Sequence, residues 1–374
     1  MALITRYFST TSAGAADGTT WADRAALLDG SGNWSTIITG NNFTTDSMLA
    51  YIGTGTYIAG QSLAVTLFSN PPTLQNPLIF HGCDNTGAQL EPPDHHWTSA
   101  QPVWDTTDQP LINIGSNYFS LVASFRLVNI SGDRNGYLAL NISACDWCYW
   151  VSTSTGTSAY VCAVSNYTTN CVFRCTDGYI RIIASSSALF NCRLQGAGVG
   201  VGSGDRHGTS GAIIYDFVGC TICDCGGVGL YLETTTTSRR NCIQNCSIIN
   251  NGSHGIYYNL TAGTPTSVSL FADNVITNNG GYGINMNGYI ALAARNRLRD
   301  NTSGNFNGMG NLPETLGSDT SIRSGTSAAL RNQAEFVDFA NGDYRIRPES
   351  NLWGKNLGAG DAPDFQRFMQ RLRG

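Results

Sequence analysis

Four segments of this chain repeat one pattern. Cys220-Thr-Ile-Cys-Asp-Cys-Gly-Gly-Val-Gly-Leu-Tyr-Leu is followed by Cys246-Ser-Ile-Ile-Asn-Asn-Gly-Ser-His-Gly-Ile-Tyr-Tyr, by Asn274-Val-Ile-Thr-Asn-Asn-Gly-Gly-Tyr-Gly-Ile-Asn-Met and by Asn296-Arg-Leu-Arg-Asp-Asn. Equivalent positions hold Ile222, Ile248, Ile276 and Leu298, then Asp224-Cys225, Asn250-Asn251, Asn278-Asn279 and Asp300-Asn301, then Gly229-Leu230, Gly255-Ile256 and Gly283-Ile284. Irregular repeats about 20–50 residues long mean stacked supersecondary units. Apolar residues recur at alternate positions in short runs, and Asn/Gly turns separate the runs, so each unit consists of strands and turns. Such a unit is one coil of a parallel β-solenoid, in which matching side chains stack one strand spacing apart. The expected fold class is therefore all-β, a single-stranded parallel β-helix with short terminal caps. Residues 1–30 are expected to form the N-terminal cap, 31–301 the coils, and 302–374 a closing segment with a terminal helix.

The composition agrees. Only 13% of residues are charged, against about a quarter in ordinary domains, while Gly numbers 43. Lys355 is the one lysine and there are five glutamates, too few for a helical protein. A net charge of −5 gives no basic footprint for nucleic acid. No run is long and apolar enough to span a membrane. Met-Ala-Leu-Ile-Thr-Arg-Tyr-Phe at the start lacks the apolar core of a signal peptide, which predicts no export by that route.

Twelve cysteines invite a disulfide framework. Cys148, Cys171, Cys192, Cys220 and Cys246 recur at coil spacing beside apolar residues, which predicts a stack of reduced, buried thiols instead. Cys145-Asp-Trp-Cys148 has the spacing of a metal or redox pair, to which Cys171 and Cys175 or the Cys220, Cys223, Cys225 group could add zinc ligands. Strand alternation is expected to turn such thiols to opposite faces, so no metal and no cofactor are expected.

Outside the clear repeats the reading is coarser. Thr20 with Asp23, ahead of Trp21, Ala25 and Leu28, predicts a short capped helix over the open end. Met48 to Ile52, Ser62 to Phe68 and Leu78 to His81 read as strands, and the proline-rich residues 88–110 as a lateral loop. The pattern is lost over 302–330. Residues 331–358 hold a last unit with a hairpin signal at Asn341-Gly342. Phe365, Phe368, Met369 and Leu372 fall on one helical face, suited to covering the end of the solenoid or to docking a protomer or partner.

Three stretches resemble the right-handed parallel β-helix proteins of the pectin-lyase-like superfamily. Gly14-Ala-Ala-Asp-Gly-Thr-Thr-Trp-Ala-Asp-Arg-Ala resembles their entry motif. Leu78-Ile-Phe-His-Gly-Cys-Asp-Asn-Thr-Gly resembles their early strand-and-turn element, with Cys83 where an aromatic is usual. Phe336-Val-Asp-Phe-Ala-Asn-Gly-Asp-Tyr-Arg-Ile-Arg-Pro-Glu-Ser and Gly358-Ala-Gly-Asp resemble their closing segment. The chain looks most similar to the β-helix proteins of tailed-phage virions. The resemblance implies a homotrimer on the virion surface, a non-enzymatic spike decorating or cementing capsid or tail. Its partners would be its own copies, other virion proteins such as the major capsid protein, and host surface polysaccharide, with no nucleic acid and no membrane. The alternative it implies is a tailspike-type polysaccharide depolymerase, a hydrolase or a lyase.

A hydrolase needs two carboxylates flanking one bond, and a lyase a base beside a cation. The candidates are Asp205, Arg206 and His207 on the Gly-rich stretch 202–211, with Asp216 and Glu233 in neighbouring coils. The competing reading is solvation and turn chemistry. Trp147, Tyr149, Trp150, Tyr231 and Tyr257 are candidates for stacking sugars or for a protomer interface. Asp94-His95-His96-Trp97 reads as a solvated loop in preference to a metal site. The paired Asp/Asn positions read as turn ladders, not as an ion site.

Overall fold

The computed structural model describes residues 2–27, 33–58, 63–64, 70–73, 75–88, 90, 102–105, 112–113, 120–123, 126–128, 144–146, 148–152, 160–163, 166–175, 179–182, 186–196, 200–203, 214–234, 240–260, 269–287, 291–294, 296–307, 336–338 and 343–346. The chain divides into two compact units, Met1–Val172 and Phe173–Leu372.

In the first unit, Leu3–Ser9 pairs in parallel with Ser47–Ile52, and that ladder continues through Leu78–Gly82, Ser120–Ala123, Ala144–Asp146 and Asn166–Thr169. A second ladder runs through Thr56–Ile58, Val103–Asp105, Arg126–Val128 and Tyr149–Ser152. Register makes like stack on like. Phe8, Met48, Ala50, Ile52, Leu78 and Phe80 point inward and are buried. On the opposite face Tyr7, Tyr51 and His81 form an outward column, with ring centroids 5.4 Å and 6.1 Å apart. Period-two alternation thus serves both faces.

Two expectations fail here. No helix forms over 20–27, the described part of that stretch. Thr20 Oγ1 does accept the Asp23 N–H (3.1 Å) and donates to Asp23 Oδ2 (2.9 Å), but this capping pair closes a turn. Ala25, Ala26 and Leu27 are buried consecutively, which suits an extended segment covered on both sides, and Ala25–Ala26 pairs with Phe8–Ser9. The helix lies at Asn33–Thr39 and buries Trp34 and Ile38, four residues apart on one face. Within the supposed lateral loop, Val103–Asp105 is a strand.

The second unit is built from three ladders. The first comprises Ser186–Phe190, Ile214–Val218, Arg240–Gln244, Ser269–Ala272 and Ala291–Ala294. The second comprises Arg193–Gln195, Thr221–Cys223, Ser247–Ile249, Val275–Thr277 and Arg297–Arg299. The third comprises Tyr179–Ile182, Gly200–Ser203, Val228–Thr234, Ile256–Leu260, Tyr282–Asn287 and Gly304–Asn307. The registers Ile222–Ile248–Ile276–Leu298 and Leu230–Ile256–Ile284 are those of the sequence repeat. The coils run on past 301, because Gly304–Asn307 adds a rung to the third ladder. The chain is thus all-β, a parallel β-helix.

Four of the five three-residue strands of the second ladder are bracketed by described left-handed corners. Asn191, Gly219, Asn245 and Asp273 precede them, with φ of 52°, 67°, 54° and 59°; Gly196, Asp224, Asn250 and Asn278 follow them, with φ of 71°, 55°, 57° and 56°, and Asp300, with φ of 52°, follows the fifth. Asn, Asp and Gly tolerate this region best. The asparagine that follows a corner is buried and satisfies backbone groups of a neighbouring coil. Asn274 Nδ2 donates to Ile243 O (2.9 Å) and Asn296 Nδ2 to Phe271 O (2.7 Å). At the same position the Cys246 thiol donates to Phe217 O (3.3 Å) and the Cys220 thiol to Leu189 O (3.3 Å). Cysteine and asparagine are thus alternative donors in one column. They are not equally good acceptors: Asn274 Oδ1 takes the Cys246 N–H at 2.9 Å, whereas the Cys171 sulfur takes the equivalent Cys148 N–H at 3.4 Å. We therefore expect Cys246→Asn to change stability by less than about 1 kcal/mol, while Asn274→Cys, which weakens that bond and loses the amide bond from Asn274 Nδ2 to Asn296 Oδ1 (2.8 Å), costs about 1–3 kcal/mol. Urea unfolding midpoints check the asymmetry.

The ten cysteines whose side chains are described are reduced, and nine of them are buried, as the sequence reading expects. Residues 331–358 do not add a further parallel coil in their described part. Phe336–Asp338 and Asp343–Ile346 form an antiparallel pair. Phe336 and Tyr344 pack on Cys223, Ile249 and Val275, and the Tyr344 hydroxyl donates to Asp224 Oδ1 (2.6 Å). The hairpin turn and the terminal segment with Phe365, Phe368, Met369 and Leu372 lie outside the described residues.

Candidate functional site

The third ladder of the second unit carries a stripe of rings and amides. Tyr231, Tyr257, Asn285 and Asn307 occupy one register column. The Tyr231 and Tyr257 rings lie 5.2 Å apart. His254 and Tyr282 occupy the same place in successive repeats, and their rings stack with centroids 5.8 Å apart and planes 24° apart. The His254 ring also lies 5.6 Å from Tyr257. All four rings are partly exposed.

His254 ties the two columns together. Its Nδ1 accepts the Tyr282 backbone N–H at 2.9 Å, and the Asn285 amide lies 2.9 Å from Nε2. With Nδ1 occupied as an acceptor, the neutral ring carries its proton on Nε2. Nε2 then donates to Asn285 when that amide, placed with Nδ2 toward the ring and Oδ1 toward Asn307 Nδ2 (3.1 Å), turns over together with the Asn307 amide. Desolvation holds the His254 pKa below the usual 6.5. Protonating Nδ1 would break the bond to Tyr282. The folded state therefore binds fewer protons than the unfolded chain between the depressed folded pKa and about 6.5. Stability contributed by neutral His254 is present above the unfolded value and falls as pH drops through that window. Unfolding midpoints measured from about pH 8 to pH 5 should fall more in wild type than in His254→Gln.

The other candidates separate. Asp216 is half-buried on the first ladder, in register with Cys242, so it lies on a different sheet from the ring stripe. Glu233 lies on the third-ladder strand Val228–Thr234, in register with Asn259. Its side chain is outside the described residues, as are those of Tyr149 and Trp150, whose backbone forms part of Tyr149–Ser152 in the first unit. Asp205, Arg206, His207, Trp147 and the Asp94–Trp97 stretch lie outside the described residues altogether. The Asp/Asn pairs are ladders, as expected. Asn250 Nδ2 donates to Asp224 Oδ1 (2.8 Å), Asn278 Nδ2 to Asn250 Oδ1 (2.9 Å) and Asn251 Nδ2 to Asn279 Oδ1 (2.9 Å). The sequence reading named Tyr231 and Tyr257 but missed His254, Tyr282 and Asn285, although all three stand at repeat positions beside them.

A second cluster corrects the expectation that strand alternation keeps the thiols apart. In the first unit Cys145, Cys148 and Cys171 converge, with all sulfurs within 4.8 Å of one another. Cys145 lies on Ala144–Asp146 of the first ladder and Cys148 just before Tyr149–Ser152 of the second, and both thiols are buried. Burial pushes the Cys145 thiol well above the ordinary range.

Residues 209–303 match the family described as right handed beta helix region. No curated protein matches the chain. Among solved structures, pectate lyase Pel9A is 12% identical, covering 85% of this chain and 72% of its own, with a TM-score of 0.36. The A-module of the Azotobacter vinelandii mannuronan C-5 epimerase AlgE6 is 13% identical, covering 73% of this chain and 91% of its own, with a TM-score of 0.38. Neither likeness carries a residue or an activity over. The match covers residues 209–303 alone, and strands that pair in parallel from coil to coil give the chain the fold of a parallel β-helix.

Proposed function

We propose that the chain is a spike-like structural protein of a tailed-phage virion, a trimeric β-helix that decorates or cements the capsid or tail and works by binding. The supporting observation is the outer stripe of the third ladder, where Tyr231, Tyr257, His254, Tyr282 and Asn285 form a stacked face of rings and amides. Such a face suits sugar stacking or a protomer contact. A general acid or base needs a proton or lone pair aimed at a substrate, whereas both His254 ring nitrogens are engaged within the stripe. On this reading the partners are other copies of the chain, virion proteins such as the major capsid protein, and host surface polysaccharide, met at the virion surface.

Mass in solution at micromolar concentration should be that of a trimer; a stable monomer overturns the oligomer. Incubation with host capsular or lipopolysaccharide should give binding without oligosaccharide release. Tyr231→Ala and Tyr257→Ala should each weaken that binding by about 1–2 kcal/mol. The second reading, a polysaccharide depolymerase, draws on Gly202, which pairs with Tyr231 one rung along and leads straight into Asp205-Arg206-His207. Oligosaccharide release that disappears in Asp205→Asn or His207→Ala would select it.

A further inference from the structure

We infer that Cys145, Cys148 and Cys171 form a buried thiolate site for one divalent thiophilic cation of the zinc class, taken up as the first unit folds. The Cys145 and Cys171 sulfurs are 3.7 Å apart. A tetrahedral ion with metal–sulfur bonds of about 2.3 Å sets its sulfurs about 3.8 Å apart. The third sulfur lies within 4.8 Å of both, close enough to reach the same ion with a small rotation of its side chain.

Stacking alone does not account for this arrangement. Cys148 and Cys171 belong to the column of corner cysteines, but Cys145 does not. Cys220 and Cys246 of that column reach carbonyls of a neighbouring coil, Leu189 O and Phe217 O, while Cys192 and Cys148 reach carbonyls of their own coil, Phe190 O and Asp146 O. The Cys171 thiol is directed at Cys145 Sγ, a sulfur from outside the column. The Cys148 N–H points at Cys171 Sγ at 3.4 Å, a donor that favours sulfur in its thiolate form. The three thiols are 0–1% exposed, so a captured ion would be shielded from exchange. An all-sulfur donor set selects soft or borderline cations over magnesium or calcium. Each metal–sulfur bond replaces an S–H bond and releases its proton to solvent; no electron moves.

The test uses the full chain, unfolded under reducing conditions and refolded with or without cadmium as the probe. One cadmium per chain is expected, with a thiolate-to-metal charge-transfer band, proton release, and a higher melting temperature than the metal-free protein. Cys145→Ser and Cys171→Ser should each lose the band and the temperature increment. Cys83→Ser, which alters a buried thiol outside the cluster, should keep both. The NMR shift of cadmium bound to wild type counts its sulfur neighbours and does not depend on any variant folding. A shift for three sulfurs supports the site. No uptake on refolding, a shift for fewer than three sulfurs, or a band unchanged in Cys145→Ser and Cys171→Ser overturns it.

Discussion

Replacing Asn279 by leucine should destabilise the second unit by about 3–5 kcal/mol, the range reached when a buried network loses its centre. Asn279 is 1% exposed and holds three coils together. Its Oδ1 accepts from Asn251 N–H (3.2 Å) and Asn251 Nδ2 (2.9 Å), while its Nδ2 donates to Ile248 O (3.3 Å) and Asn301 Oδ1 (2.8 Å). Leucine fills a similar volume, so no water enters to replace those bonds, and each orphaned buried group costs about 1–3 kcal/mol. The neighbouring Asn278 is a control one residue away. Its corner has φ of 56° and its side chain makes one ladder bond, to Asn250 Oδ1. Asn278→Gly keeps the corner geometry at a cost of about 1 kcal/mol or less. Urea midpoints for the two variants should therefore separate widely, with a constant m-value showing that cooperativity is retained.

The contrast between those two positions explains what the sequence could disclose. A parallel coil in strict register forces inward side chains to repeat, so Ile222, Ile248, Ile276 and Leu298 were readable as a stack, and so were the Asn pairs. Where a rung is short or poorly apolar the signal fades. Val103–Asp105 is three residues long and follows a proline-rich stretch, too short to display alternation. Gly304–Asn307 has one large apolar residue, Phe306, which takes its place over Ile284. The Thr20–Asp23 pair misled for a different reason: the same two hydrogen bonds cap a helix or close a turn, and the consecutive burial of Ala25 to Leu27 decides for the extended form.

Site features obeyed the same limits. Tyr231 and Tyr257 were visible because tyrosine repeats at one position. His254 and Tyr282 were not, because Val228 at that position hides the chemical likeness of the column. The thiol cluster escaped because alternation holds within a strand and not from one ladder to the next. Cys145 belongs to Ala144–Asp146 of one ladder and Cys148 directly precedes Tyr149–Ser152 of another, so a spacing that separates faces in a strand brings these two sulfurs together.

The second large effect is expected at Gly255, where alanine should cost about 2–3 kcal/mol through overpacking. A Cβ there would stand 2.6 Å from Ile276 Cγ2, 2.7 Å from Gly283 O and 3.0 Å from Asn279 Nδ2. Two of those neighbours are fixed: one is backbone, and one is the amide that bonds three coils. The same geometry recurs along the column. A Cβ on Gly229 would meet Asn251 Nδ2 at 2.6 Å, and one on Gly283 would meet Asn301 Nδ2 at 2.8 Å. The glycines beside Leu230, Ile256 and Ile284 are therefore required by the asparagine ladder of the adjoining coil, which occupies the space a side chain would need. This makes the two columns one device and predicts that they couple. Asn279→Ala removes the amide and opens room for a methyl group at residue 255, leaving only the clash with Gly283 O and the Ile276 methyl. The double variant Gly255→Ala, Asn279→Ala should then cost less than the two single changes together by about 0.5–1.5 kcal/mol, as expected for residues in contact. Strict additivity in that cycle would mean that the glycine column answers to the backbone alone.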